Sequence, residues 1–150
     1  MQAMQRRVEL TIRADSWDAR RASEWLASVA RAQRVPAEHI VRLDHCLDEA
    51  LANVITHGGP AALASPIRLQ FDLRRSEGTC TAALSIVDEG IAFDPSCSLV
   101  EATQRPATLA EASVGGLGIL LIRNFSDDLS YRHSEGRNHL TISVVWREAA

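Results

Sequence analysis

Glu49 and Asn53 stand four residues apart in EALANVITHG, so on a helix they share one face. A carboxylate beside a carboxamide can supply a base and an oxygen ligand for a metal ion. A solvated polar face accounts for the same spacing more plainly. His45 and His57 extend the line in both directions. Asp88-Glu89-Gly90-Ile91-Ala92-Phe93-Asp94-Pro95 forms a second cluster. A short carboxylate there, with Gly90 allowing close backbone approach, can accept a hydrogen bond from an exocyclic amine such as that of adenine. Simple turn formation explains such a tetrapeptide equally well in isolation. Gly115-Gly116-Leu117-Gly118 is the third feature. Glycines opening a helix leave N–H groups free to meet phosphates, although a flexible loop has the same composition. Zinc would need three or four converging ligands, which no Cys/His cluster supplies, and His57 is expected to complement a helix C-terminus instead.

The elements that must carry these residues follow from periodicity. Val8, Leu10 and Ile12 alternate as in a strand, and Asp15-Ser16 offers an N-cap to a helix over 16–33 with Ala22, Trp25, Leu26 and Val29 at helical spacing. Pro36 suits the start of a second helix. Its stripe is Ile40, Leu43, Leu47, Leu51 and Val54, and Gly58-Gly59 ends it, with a small loop to Pro66 beyond. Ile67, Leu69, Phe71 and Leu73 fall on one face of a strand; Ser76-Glu77-Gly78 makes a hairpin turn; a strand over 79–87 follows and delivers Asp88 to its end. Periodicity vanishes over 95–114, the length of a functional lid. A third helix from the glycines to Phe125, a strand over 129–133, a turn at Glu135-Gly136-Arg137 and a final strand HLTISVVW complete the chain. This order predicts an α+β two-layer sandwich, with a mixed, mostly antiparallel sheet and helices on one face.

Composition narrows the class. The 150 residues are 46% hydrophobic and 23% charged with a formal net charge of -3, which describes one globular domain with no basic footprint for nucleic acid. Cys46, Cys80 and Cys97 form no CxxC pair, and no apolar stretch is long enough to export the chain or span a membrane. A reducing cytoplasm is the expected compartment.

Taken in order, EALANVITHG, VDEGIAFDP and GGLGILLIRNF, with a final NxLT on a strand, resemble the asparagine box and two glycine boxes of the GHKL ATPase superfamily, whose fold is the Bergerat fold. Within it, the chain resembles the small anti-sigma-factor serine/threonine kinases over about residues 8–147. The resemblance implies ATP and Mg²⁺ as cofactors. It implies Glu49 as general base, Asn53 as the Mg²⁺ ligand, and Asp88 as the reader of the adenine amine with Gly90 lining its pocket. Gly115, Gly116 and Gly118 would wrap the phosphates, Thr141 would stand near the adenine, and 95–114 would be the ATP lid. It further implies partners: a STAS-type anti-sigma antagonist phosphorylated on Ser/Thr, a sigma factor or similar target, and a second copy in a homodimer. Two departures bear on activity. Ala92 replaces the second glycine of a DxGxG form, and Ser113-Val114 stand where some members place an arginine for the γ-phosphate; Arg105 is the one basic residue of the lid. An ATP-dependent partner-switching binder with weak or no kinase activity, and a histidine-kinase ATP-binding domain, remain the alternatives.

Overall fold

The computed structural model describes residues 4–92 and 122–148. Strand β1 (Met4–Ile12) leads into helices α1 (Ser16–Ala32), α2 (Ala37–His57) and the short α3 (Gly59–Ala64). Strands β2 (Ile67–Ser76), β3 (Thr79–Asp88), β4 (Asp128–Ser134) and β5 (Arg137–Arg147) follow. Residues 122–125 are helical, where the end of the third long helix is expected. The sheet order is β1-β2-β3-β5-β4.

Local chemistry sets the boundaries. Asp15 holds an extended backbone and its side chain accepts the Asp18 N–H at 2.7 Å, capping α1. Gly58 caps α2 and has no room for a side chain: a Cβ there would lie 2.5 Å from both the Ala62 Cβ and the Val54 carbonyl oxygen. Both hairpins turn on a Glu-Gly pair with positive φ, 52° and 79° at Glu77-Gly78, 56° and 74° at Glu135-Gly136. Such a two-residue turn matches the twist of the strands it joins. Helix α3 occupies what sequence reasoning treats as a loop. With Pro60 in its first turn and Ala62 alone buried, six residues are too few to register a period.

Among the described residues all four strand pairings are antiparallel, which corrects the expectation of a mixed, mostly antiparallel sheet. The physical reason is the parity of reversals. The chain turns back after β1 into α1, again at residues 33–36 into α2, and a third time between α2 and β2, and an odd number of reversals sets β2 against β1. The helices lie on one face, as expected. Val8, Phe71, Leu84, Ile142 and Leu129 pair into one row across all five strands. Onto that face α1 buries Ala22, Leu26 and Ala30, and α2 buries Ile40, Leu43, Leu47 and Leu51, in a single apolar cluster. Each fully buried Leu, Ile or Phe contributes about 1.5–3 kcal/mol relative to exposure. Trp25 packs against this cluster, whereas Trp17 is 78% exposed.

Candidate nucleotide site

The apolar side of α2 faces the sheet, so the residues flanking it look toward the ends of β3 and β5. Glu49 and Asn53 are both half-buried. Asn53 lines a cavity with Val54, His57, Asp88, Tyr131 and Asn138. His57 sits in the last turn of α2, where a basic group suits the helix dipole, and His45 stacks on Phe125 with ring centroids 4.9 Å apart.

Asp88 ends β3 and is 6% exposed. Its Oδ1 accepts the Gly90 N–H at 2.8 Å and the Asn138 Nδ2–H at 3.0 Å. Among the described residues Oδ2 has no hydrogen-bond partner. That oxygen is open to a hydrogen-bond donor on a ligand. The loop after it is pressed against α2. The Ile91 N–H donates to the Gly58 carbonyl at 3.0 Å, and a Cβ on Gly90 would stand 2.8 Å from Asp88 Oδ1 and 3.0 Å from both the Gly58 Cα and its carbonyl oxygen. The metal-ligand candidate and the base-reading candidate are therefore joined backbone to backbone.

The cavity measures about 50 Å³, well under the several hundred typical of ligand pockets, so a nucleotide must widen it. Ile91, 64% exposed at its rim, is a side chain that can give way. The donor set fits the expected cofactors: a carboxylate oxygen without a partner among the described residues matches an amine N–H, and the Asn53 amide offers the kind of oxygen ligand a magnesium ion prefers. Among the described residues no group of three or more His, Cys, Asp or Glu stands close enough to hold a metal.

Helix residues 122–125 are fastened to the middle of α2. Arg42 Nε donates to the Phe125 carbonyl at 3.0 Å while its terminal nitrogen pairs with Asp127 at 3.1 Å. The Cys46 thiol lies 3.7 Å from the Ile122 carbonyl. Burial, opposed by Arg42, pushes that thiol up to about 12, so Cys46 is a packing residue and not a nucleophile. Gly115, Gly116 and Gly118, and the expected lid at 95–114 with Arg105, lie outside the described residues.

Thr141 requires a correction. Its hydroxyl lies 3.2 Å from that of Ser85, and it lines a hollow of about 500 Å³ with Arg68, Gln70, Ser130 and Arg132 on the sheet face away from the helices. Asn138, Leu140 and Ile142 face the core, and strand alternation sends the odd-numbered 141 to the other side. The residue that sequence reasoning overlooked is Asn138, 6% exposed and bonded to Asp88. Its signal was the N of NxLT, a polar residue in phase with an apolar strand face.

With this geometry in view, the comparisons are decisive about class. Residues 12–144 match the histidine kinase-like ATPase domain, and the chain belongs to that ATP-binding family. It is 35% identical over 119 residues to the serine/threonine-protein kinase BtrW of Bordetella bronchiseptica, a match covering 79% of this chain and 80% of that one. Two solved structures share the fold. One contains the RsbU and RsbW domains of Rv1364c from Mycobacterium tuberculosis, with a TM-score of 0.61 and 18% identity over 93% of this chain. This chain spans only 32% of that longer polypeptide. The other is the SiaB–SiaC complex from Pseudomonas aeruginosa, with a TM-score of 0.55 and 17% identity, covering 93% of this chain and 89% of that one. Among the described residues no helix is long and apolar enough to cross a membrane.

Proposed function

We propose that the chain, as a single domain, is a serine/threonine-protein kinase of the anti-sigma-factor type. It binds Mg-ATP between α2 and the ends of β3 and β5, and transfers the γ-phosphoryl group to a hydroxyl on a STAS-type antagonist. The observation that carries this reading is one cavity lined by both Asn53 and Asp88, with an acceptor oxygen of Asp88 that has no partner among the described residues. The 35% identity to a named serine/threonine-protein kinase supports transfer to Ser or Thr over His.

Phosphoryl transfer asks a protein mainly for positioning and charge stabilisation. In this mechanism Asp88 Oδ2 accepts a hydrogen bond from the adenine amino group and fixes the base. Asn53 would hold a magnesium ion through its amide oxygen, and such an ion would supply neutralisation of phosphate charge. Glu49, one helical turn earlier on the same face, accepts the proton of the attacking hydroxyl. Gly115, Gly116 and Gly118, which lie outside the described residues, would by the family resemblance meet the phosphates with backbone N–H groups. The same domain holds a sigma factor or analogous target in an alternative complex and acts as a homodimer. The free thiols of Cys46 and Cys80 accord with a reducing cytoplasm.

Incubation with labelled ATP, Mg²⁺ and a candidate antagonist tests the reading. Label should appear on the antagonist as an acid-stable phosphate. Glu49→Ala should abolish transfer while leaving ATP affinity within about twofold of wild type. Undiminished phosphorylation by that variant would remove Glu49 from the mechanism; ATP binding with no transfer by the wild type would leave a partner-switching binder.

A further inference from the structure

Register puts Asp88, Asn138 and His133 side by side across β3, β5 and β4, as Asp88↔Asn138 and His133↔Asn138. This polar row continues the core face one step beyond the apolar row Leu69–Ile86–Leu140–Tyr131. A buried amide there survives only with its donors and acceptors satisfied. Asn138 Nδ2 has three acceptors in reach, Asp88 Oδ1 at 3.0 Å, the Gly90 carbonyl at 3.2 Å and the Ile91 carbonyl at 3.0 Å. On its other side, Asn138 Oδ1 accepts the Tyr131 hydroxyl and lies 3.2 Å from His133 Nδ1. Donors on one side and acceptors on the other leave a single orientation for the amide.

That orientation acts on Asp88. The terminal torsion of an aspartate is broad and nearly two-fold, so an isolated carboxylate can present either oxygen to a ligand. Two donors on Oδ1, from Gly90 and Asn138, remove the symmetry and, among the described residues, leave Oδ2 open. The same amide ties down the carbonyls of Gly90 and Ile91, which hold the loop following the carboxylate.

We propose that Asn138 is a positioning residue for base selection: by locking one oxygen of Asp88 and the loop behind it, it aims the other at a 6-amino purine and against a 6-oxo purine. The inference rests on the nucleotide reading above. An amine offers Oδ2 a proton, whereas a carbonyl at the same place sets acceptor against acceptor and leaves both unpaired. Asn138 lines the same cavity as Asp88, and in this scheme it acts on base selection through Asp88.

The test measures affinities of the full chain by calorimetric titration with ATP, with purine riboside triphosphate, which has no 6-substituent, and with GTP. Wild type should prefer ATP to both. Asn138→Leu, close in volume, should weaken ATP roughly tenfold to a hundredfold while changing purine riboside triphosphate by less than about threefold. Asp88→Asn serves as the reference for the underlying reading. Where Asp88→Asn keeps the preference for ATP, the base-reading role of Asp88 fails and this inference fails with it. Where Asp88→Asn abolishes the preference but Asn138→Leu retains it, or weakens all three ligands alike, Asp88 reads the base and Asn138 is only a packing group, which overturns the inference alone. Should Asn138→Leu not fold, Tyr131→Phe decides: it keeps the amide but removes one of the donors that orient it, and should narrow the ATP preference in the same direction by a smaller factor.

Discussion

Replacing Gly90 with alanine puts a methyl carbon 2.8 Å from Asp88 Oδ1 and 3.0 Å from the Gly58 Cα and carbonyl oxygen. Two of these three neighbours are backbone atoms at the capped end of α2, and they cannot move without shifting the helix. The carboxylate must therefore yield. Its rotation breaks the 2.8 Å bond from the Gly90 N–H and strains the 3.0 Å bond from Asn138. Overpacking of this kind costs about 1–3 kcal/mol, and a hydrogen bond to a charged group is worth a similar amount. In a domain of this size the first quantity should lower the Tm by roughly 3–10 °C. Misdirecting Asp88 Oδ2 should weaken ATP by roughly tenfold to a hundredfold. Thermal unfolding followed by circular dichroism reads the first and calorimetric titration with ATP the second. A Gly90→Ala protein with wild-type Tm and wild-type ATP affinity would refute the claim that this junction is closed to side chains and positions the carboxylate.

Three smaller perturbations probe other steps. Thr141→Ala alters the outer sheet face, so ATP affinity by titration should stay within about twofold of wild type; a larger loss would return Thr141 to the nucleotide pocket. Asp15→Ala removes the side-chain cap of α1 and should cost about 1 kcal/mol in urea unfolding, with the slope m unchanged. Cys46, held near 12 against a usual 9.0, should be alkylated by iodoacetamide at pH 8 roughly a thousandfold more slowly in the native chain than in the denatured one.

Most elements are legible in the sequence because their periods are clean. Ile67, Leu69, Phe71 and Leu73 could belong only to a half-buried strand, and the stripe from Ile40 to Leu51 only to a helix packed along its length. Both Glu-Gly turns were equally plain. The short α3 was not, since Gly-Gly-Pro signals a break and the Ala-rich residues after it carry no amphipathic contrast. Antiparallel pairing of β1 with β2 depends on how many times the chain reverses between them, which periodicity does not record. At the site, Asp88 and Asn53 were identifiable by type and order, but Thr141 was placed by motif order alone. Counting strand parity from Ile142, whose side chain is wholly buried, would have sent it to the outer face and drawn attention to Asn138. The bonds of Asn138 depend on a register that joins residues 50 positions apart, and only the assembled sheet reveals them.

The contact between Gly58 and Gly90 has an evolutionary corollary. With no side chain between the two segments, the interval from the end of α2 to the tip of β3 is a ruler made of main chain, and rotamers cannot stretch it. Lineages descending from such a scaffold are free to exchange the chemistry mounted at either mark, an Asn53 or an Asp88 for something else, while the gauge between the marks stays fixed. Diversification should therefore proceed by changing what is held at each end, and seldom by changing how far apart the ends are held.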